Sequence, residues 1–237
     1  MLNQLDPDII LEQGPCLLVC KPGGLLTQGP PGVDSLEFRI RRFLGRRDSQ
    51  PENKVYVGVP HRLDRPVSGA MVFAKNLPAS QLIARQFKDR TVIKKYWAVV
   101  EGELEDDAGI WIDWMRKIPD QAKSEIVARR QPTALEAKLR FFVIQRHNNK
   151  TWMEIHLETG RTHQIRLQTS HHKHPVVGDV LYGAETAFGP QTDDLRSRWI
   201  ALHSRFLEIE HPLEKTPIRV ECPVFEYWSE LGFCFPD

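Results

Sequence analysis

Apolar and polar residues alternate along the chain with two different periods, and each period predicts its own kind of element. The run CLLVCK at 16–21 is apolar throughout and stops at Pro22-Gly23-Gly24, the pattern of a buried strand that enters a loop. Over 35–44 the period lengthens: Leu36, Ile40, Phe43 and Leu44 share one helical face while Arg39, Arg42 and Arg46 lie around the other, predicting a basic amphipathic helix. Strands are predicted over 55–59 and 70–74, on either side of PHRLDRPVSG, followed by a helix over 78–88 with Asn76 as N-cap and Pro78 in its first turn. Residues 92–100 are β-branched and aromatic, a strand, and the acids Glu101, Glu103, Glu105, Asp106 and Asp107 make a solvated turn after it. Segments 135–144 and 152–157 read as an antiparallel pair around His147-Asn148-Asn149. In the second, Met153, Ile155 and Leu157 alternate with Trp152, Glu154 and His156, as a half-buried strand requires. ETGRTHQIRLQTSHH reads as a strand end, a glycine turn and a helix from about Thr162; 200–209 and 218–221 are late strands, and 225–231 is a closing helix. Strands outnumber helices and several are consecutive. The expected class is therefore α+β, a mixed, largely antiparallel sheet with flanking helices around a central cleft, in one domain over 1–237.

Composition narrows this without redirecting it. A chain of 237 residues with 41% hydrophobic positions, six Trp and eleven Phe has enough apolar surface for a sizeable core, so neither disorder nor a disulfide-stapled miniature is indicated. No apolar run approaches the ~18 residues of a membrane span. Asp6, Asp8 and Glu12 stand where a leader peptide would carry Lys or Arg, so a cytoplasmic protein is expected. Cys16, Cys20, Cys222 and Cys234 show no C-x-x-C spacing and are expected to be free thiols.

The motifs of common nucleotide, zinc-protease and serine-hydrolase sites are missing. His61-Arg62-Leu63-Asp64-Arg65-Pro66 stands out instead. A carboxylate between two guanidiniums stays ionised at neutral pH and can act as nucleophile or base; an ordinary loop ion pair or helix cap would use the same residues. In Gly160-Arg161-Thr162-His163-Gln164-Ile165-Arg166, a glycine turn leads into a helix start with cations in its first turn. That suits an anionic partner such as phosphate, and it also suits a satisfied helix terminus. His163, His171, His172, His174 and His203 lack the spacing of metal ligands, so a metal-dependent hydrolase is disfavoured.

The two segments belong to a longer series. HRLDRPVSGAMVFAK, KKYWAVVEG, TGRTHQIRLQ, HPVVGDVLYG and ALHSRFLEIEHP, in this order, resemble the successive motifs of the RluA-type RNA pseudouridine synthases, and CLLVCKPGGLLTQG resembles the family's opening Lys-Pro segment. The resemblance runs from about Cys16 to Pro223 and implies the pseudouridine synthase fold and activity. It implies that Asp64 is the catalytic aspartate and that Arg62 enters the RNA and helps hold the target nucleotide out of its stack. Tyr96 would pack on the flipped uracil, Ile165 would line its pocket, and Arg166 would pair with the catalytic carboxylate. His61, Arg65, Arg161 and His163 flank these positions and are expected to contact RNA. Pro66 and Val67 depart from the residues many members carry there, which bears on loop geometry. No cofactor or metal is implied. The expected partner is structured RNA, ribosomal or transfer, bound by a monomer that needs no protein partner, and with only about fifteen residues before the first motif no separate N-terminal RNA-binding domain is expected. A non-catalytic RNA-binding module with the same fold is the other reading.

With 32 Lys+Arg against 31 Asp+Glu the net charge is +1, which taken alone speaks against a nucleic-acid binder. The distribution is uneven, however. Arg39, Arg41, Arg42, Arg46 and Arg47 cluster near one helix, Arg85, Lys88, Arg90, Lys94 and Lys95 lead into the strand of Tyr96, and the acids fall at 6–12, 101–107 and 208–214. A basic surface around Asp64 is the resulting expectation.

Overall fold

The computed structural model describes residues 6–236. In chain order its strands are β1 (Asp8–Gln13), β2 (Cys16–Lys21), β3 (Ser68–Ala74), β4 (Ile93–Glu101), β5 (Ala108–Lys117), β6 (Ser124–Ile126), β7 (Leu135–His147), β8 (Lys150–Leu157), β9 (Leu202–Glu210) and β10 (Pro217–Glu221). The α-helices are α1 (Leu36–Arg47), α2 (Leu77–Asp89) and α3 (Gln164–His171), with 3₁₀ turns at Glu52–Lys54, Val180–Tyr182, Leu195–Ser197 and Glu226–Leu231. The described residues divide into two compact units. One holds those up to Lys94 together with Ser204–Pro223; the other holds Lys95–His203 and those from Val224 onward.

In the first unit the strand order is β1-β2-β3-β9, with β10 on β9, and the β1·β2, β2·β3 and β9·β10 pairs are antiparallel. Every residue of β2 and of β3 is buried, which is why both read as unbroken apolar runs. Gly69 in β3 has φ +117°, and a Cβ there would lie 2.4 Å from the Ser204 backbone, so only glycine fits. Ser35 caps α1 by accepting from the Phe38 N–H, and Leu36, Ile40 and Leu44 form its buried stripe. Asn76 caps α2 through a 2.9 Å bond from the Ala79 N–H. Residues 55–59 form no strand, contrary to expectation: Gly58 makes only an isolated bridge to Ala74, and Pro60 has no amide to extend it.

In the second unit β4-β8-β7-β5-β6 run antiparallel to one another in that order. The β7–β8 hairpin turns through Asn148 and Asn149 at φ 50° and 54°, the left-handed geometry of a tight two-residue hairpin. The closing turn at Glu226–Leu231 is 3₁₀ rather than α-helical. Beyond it Phe235 packs on Trp97, Trp152 and Trp228, and Phe233 on Trp152, an aromatic cluster that uses three of the six tryptophans.

The thiol expectation is corrected at two positions. Cys20 and Cys222 are joined by a disulfide, Cα–Cα 6.0 Å, which links β2 to the residue after β10. Motif spacing could not reveal it, because the partners are 202 residues apart. Cys16 is a buried free thiol whose pKa burial raises to about 11, and Cys234 is free and exposed. Among the described residues no helix is long and apolar enough to cross a membrane.

Candidate active site

The HRLDR segment is a loop with no strand or helix of its own, and the first unit fixes it by its backbone. On one side of Asp64, Thr27 Oγ1 donates to the Leu63 carbonyl at 2.9 Å and accepts from the Leu63 N–H at 3.3 Å. On the other side, Lys21 Nζ donates to the Arg65 carbonyl at 3.1 Å while also holding the Pro22 and Leu25 carbonyls at 2.9 and 2.7 Å. Arg65 Nε reaches back to the Gly24 carbonyl at 2.9 Å, and the Val67 N–H closes a turn onto the Asp64 carbonyl at 3.1 Å. The Lys-Pro-Gly-Gly loop and the Asp64 loop therefore form one stitched layer. Lys21 is wholly buried. Burial lowers its pKa to about 7; the Asp64 charge pulls it up and Arg65 pushes it further down. Lys21 and Thr27 were not singled out from the sequence, although a lysine ending an otherwise apolar buried strand is a signal that it has polar work to do.

Asp64 itself is half-buried and Arg62 is exposed. His61 is half-buried with its ring stacked on Phe87, centroids 4.2 Å apart, and its Nε2 accepts from the Val72 N–H at 3.0 Å. Burial, with a smaller contribution from Lys94, lowers its pKa to about 3, so the ring is neutral at physiological pH. The side chains of His61 and Arg65 thus make bonds inside this unit that build the loop. Lys94 lies 5.6 Å from the Phe87 centroid, and burial lowers its pKa too.

The second unit holds the remaining candidates. Tyr96 is buried in β4, paired in register with Ile155 of β8. Ile165 and Arg166 are buried in the first turn of α3, which opens at Gln164 after His163 adopts φ 58°. Six consecutive α3 residues, Gln164 to Thr169, are buried, so its polar residues need internal partners. Arg166 finds one in Asp179: Nε and Nη2 donate to the two carboxylate oxygens at 2.6 and 2.8 Å, both side chains nearly excluded from solvent. Tyr182 lies under the same guanidinium, Cζ 5.1 Å from the ring centroid. Its hydroxyl accepts from the Ser124 N–H at 3.0 Å and meets His163 Nδ1 at 2.9 Å. Gly178 sets the turn into Asp179 with φ +88°, where a Cβ would meet the Trp199 carbonyl at 2.7 Å. HPVVGDVLYG, met in the sequence only as a motif, is thus the cradle of Arg166. Arg161 donates from Nε to the Glu136 carbonyl at 2.9 Å, and its N–H bonds Gln164 Oε1 at 3.0 Å.

Charge placement departs from expectation on α1. Arg39 pairs with Asp34, Arg41 with Glu37, Arg42 with Glu52, Arg46 with Asp6, and Arg47 with Glu12 and Asp48. The 6–12 acids do not stand apart from this cluster: Asp6 and Glu12 neutralise part of it. Elsewhere Arg85 pairs with Asp89 and Lys95 with Glu154. Among the described residues no three His, Cys, Asp or Glu side chains converge as metal ligands would.

The family profile described as RNA pseudouridylate synthase matches residues 15–171, which places the chain among the RNA-modifying isomerases. The chain belongs to that family and is an RNA pseudouridine synthase. It is 32% identical over 230 residues to the ribosomal large subunit pseudouridine synthase D of Xylella fastidiosa and 34% identical to that of Xanthomonas campestris, in each case covering 94% of this chain and 68% of the relative. The human RNA pseudouridylate synthase domain containing 4 protein shares its fold, with a TM-score of 0.73 and 22% identity over 94% of this chain and 90% of that one.

Proposed function

We propose that this enzyme converts uridine to pseudouridine in large-subunit ribosomal RNA, with Asp64 as the catalytic carboxylate. The observation that supports this reading best is the Asp64 loop, whose neighbours on both sides are fixed by Thr27 and by the buried Lys21. A group that must meet one ribose carbon needs such pre-positioning. The substrate is inferred from the relatives named for ribosomal large-subunit RNA.

The reaction breaks the bond between ribose C1′ and uracil N1, turns the base, and joins C1′ to C5. The C5 hydrogen leaves as a proton and N1 gains one, so there is no net redox change and no water is consumed. One ionised carboxylate suffices, by attacking C1′ or by removing a ribose proton to give a glycal, whereas a glycosidase ordinarily uses two. The target nucleotide must leave its stack, at a cost of a few kcal/mol. Stacking on Tyr96, about 1–3 kcal/mol in comparable contacts, offsets part of this. Arg62, exposed beside Asp64, supplies contacts to the displaced strand, Ile165 an apolar wall for the base, and Arg166 the charge that keeps the reacting carboxylate ionised.

The test is tritium release from a [5-³H]uridine-labelled large-subunit ribosomal RNA transcript. Wild-type protein should release tritium and leave pseudouridine in the digest; Asp64→Asn should release none. Binding of the transcript without release by the wild type would instead support a non-catalytic RNA-binding module.

A further inference from the structure

We infer that Asp179 is a positioning residue for the reaction: it fixes the plane of the Arg166 guanidinium and thereby sets where that charge is delivered. The inference rests on the role proposed above for Arg166. Three observations carry it. The fork is bidentate, with Nε and Nη2 both given to one carboxylate at 2.6 and 2.8 Å, so the planar guanidinium cannot turn about the Cδ–Nε bond without breaking a hydrogen bond. Nη1 takes no part in this fork, so the Asp179 side determines which edge of the group is turned elsewhere. The carboxylate is itself rigid. Gly178 admits the turn that carries it, and the Asp179 carbonyl accepts from the N–H groups of Tyr182 and Ala184 at 3.0 and 3.1 Å.

Tyr182 completes the clamp from the ring face. The Ser170 hydroxyl donates to the Tyr182 carbonyl at 2.6 Å, tying α3 to the Asp179–Tyr182 turn. Asp179 and Arg166 are both nearly inaccessible to solvent, so the pair keeps its geometry without competition from water or salt. An arginine held only by its aliphatic stem would sample several rotamers, and a misplacement of about 1 Å can cost a reaction about a hundredfold.

The test uses the same tritium-release assay on the full chain, with melting curves for every variant. Asp179→Glu keeps the buried charge balanced but moves the fork by one methylene. It should melt close to the wild type, lose about 10–100-fold in kcat, and keep KM within about threefold. A kcat within about twofold of wild type would overturn the inference, as would a loss carried entirely by KM. Asp179→Asn alone leaves a buried guanidinium uncompensated and could fail to fold, so it is placed on Arg166→Gln, where no buried charge remains. The double variant should turn over no slower than Arg166→Gln alone. A further tenfold loss would show that Asp179 does not act through Arg166. Absence of turnover by the wild type would overturn the proposed function and this inference together, whereas wild-type turnover with an indifferent Asp179→Glu would overturn this inference alone.

Discussion

At Lys21 an amino group is taken wholly out of water and receives three carbonyl oxygens in exchange, all from the two loops that frame Asp64. Asp64 in turn opposes the fall in the Lys21 pKa, so the loop and its anchor are electrostatically linked. His61 performs a related task as a neutral acceptor. Its neutral ring accepts the Val72 N–H and stacks on Phe87, and burial holds its pKa near 3. In the unfolded chain the same ring titrates near 6.5. A depressed folded value means that the stabilisation is complete above pH ~6.5 and is lost as the pH falls toward 3. Wild-type stability in urea should therefore fall between pH 7 and pH 5 by about 2 kcal/mol more than that of His61→Gln, which keeps an acceptor for Val72 but does not titrate. Equal slopes in the two proteins would show that His61 binds protons in the fold as it does in the unfolded chain. Asp64, Arg62, Tyr96, Ile165 and Arg166 were nominated in the sequence by motif order; Thr27 acquires meaning from Leu63, Asp179 from Arg166, and Lys21 from Arg65 as well as from its neighbours Pro22 and Leu25.

Elements followed the sequence where a single period or a cap dictated them. CLLVCK has the ends expected of it, β3 starts at Ser68 rather than at 70, and the Asn76-capped α2 runs Leu77–Asp89 against the expected 78–88. β1 and β5 were not foreseen. In β5, Ile110 and Ile112 face solvent while Met115 is buried, so hydrophobicity alternates against the usual sense. α3 gave little amphipathic signal because it is buried on nearly all sides. At this scale Gly69 is the position with least latitude. Gly69→Ala places a methyl 2.4 Å from the Ser204 backbone at φ +117°, and should cost about 2–5 kcal/mol in chemical denaturation. A loss under about 1 kcal/mol would mean that β3 and Ser204 can part without penalty.

Across the whole molecule, charge and thiols are where composition misled. The net charge of +1 concealed arginines that the fold commits to carboxylates on and around α1, so a count of basic residues overstates what that helix can offer to phosphate. Such exposed pairs contribute little stability each, about 0–1 kcal/mol, and high salt loosens them. The Cys20–Cys222 bond closes a very long loop and should add about 2–5 kcal/mol that reduction removes. Alkylation of the denatured, unreduced protein should add two adducts, on Cys16 and Cys234, and four after reduction. Four adducts without reduction would show that Cys20 and Cys222 are thiols.

Catalysis by a single carboxylate at Asp64 is the claim on which the rest depends. The most direct measurement is the yield of pseudouridine, by mass spectrometry of digested large-subunit ribosomal RNA, after incubation with wild-type protein or with Asp64→Asn at matched folding and RNA binding. Pseudouridine should form with the wild type and not with Asp64→Asn, because an amide neither attacks C1′ nor removes a ribose proton. Pseudouridine formed by Asp64→Asn at a rate within tenfold of wild type would contradict the claim.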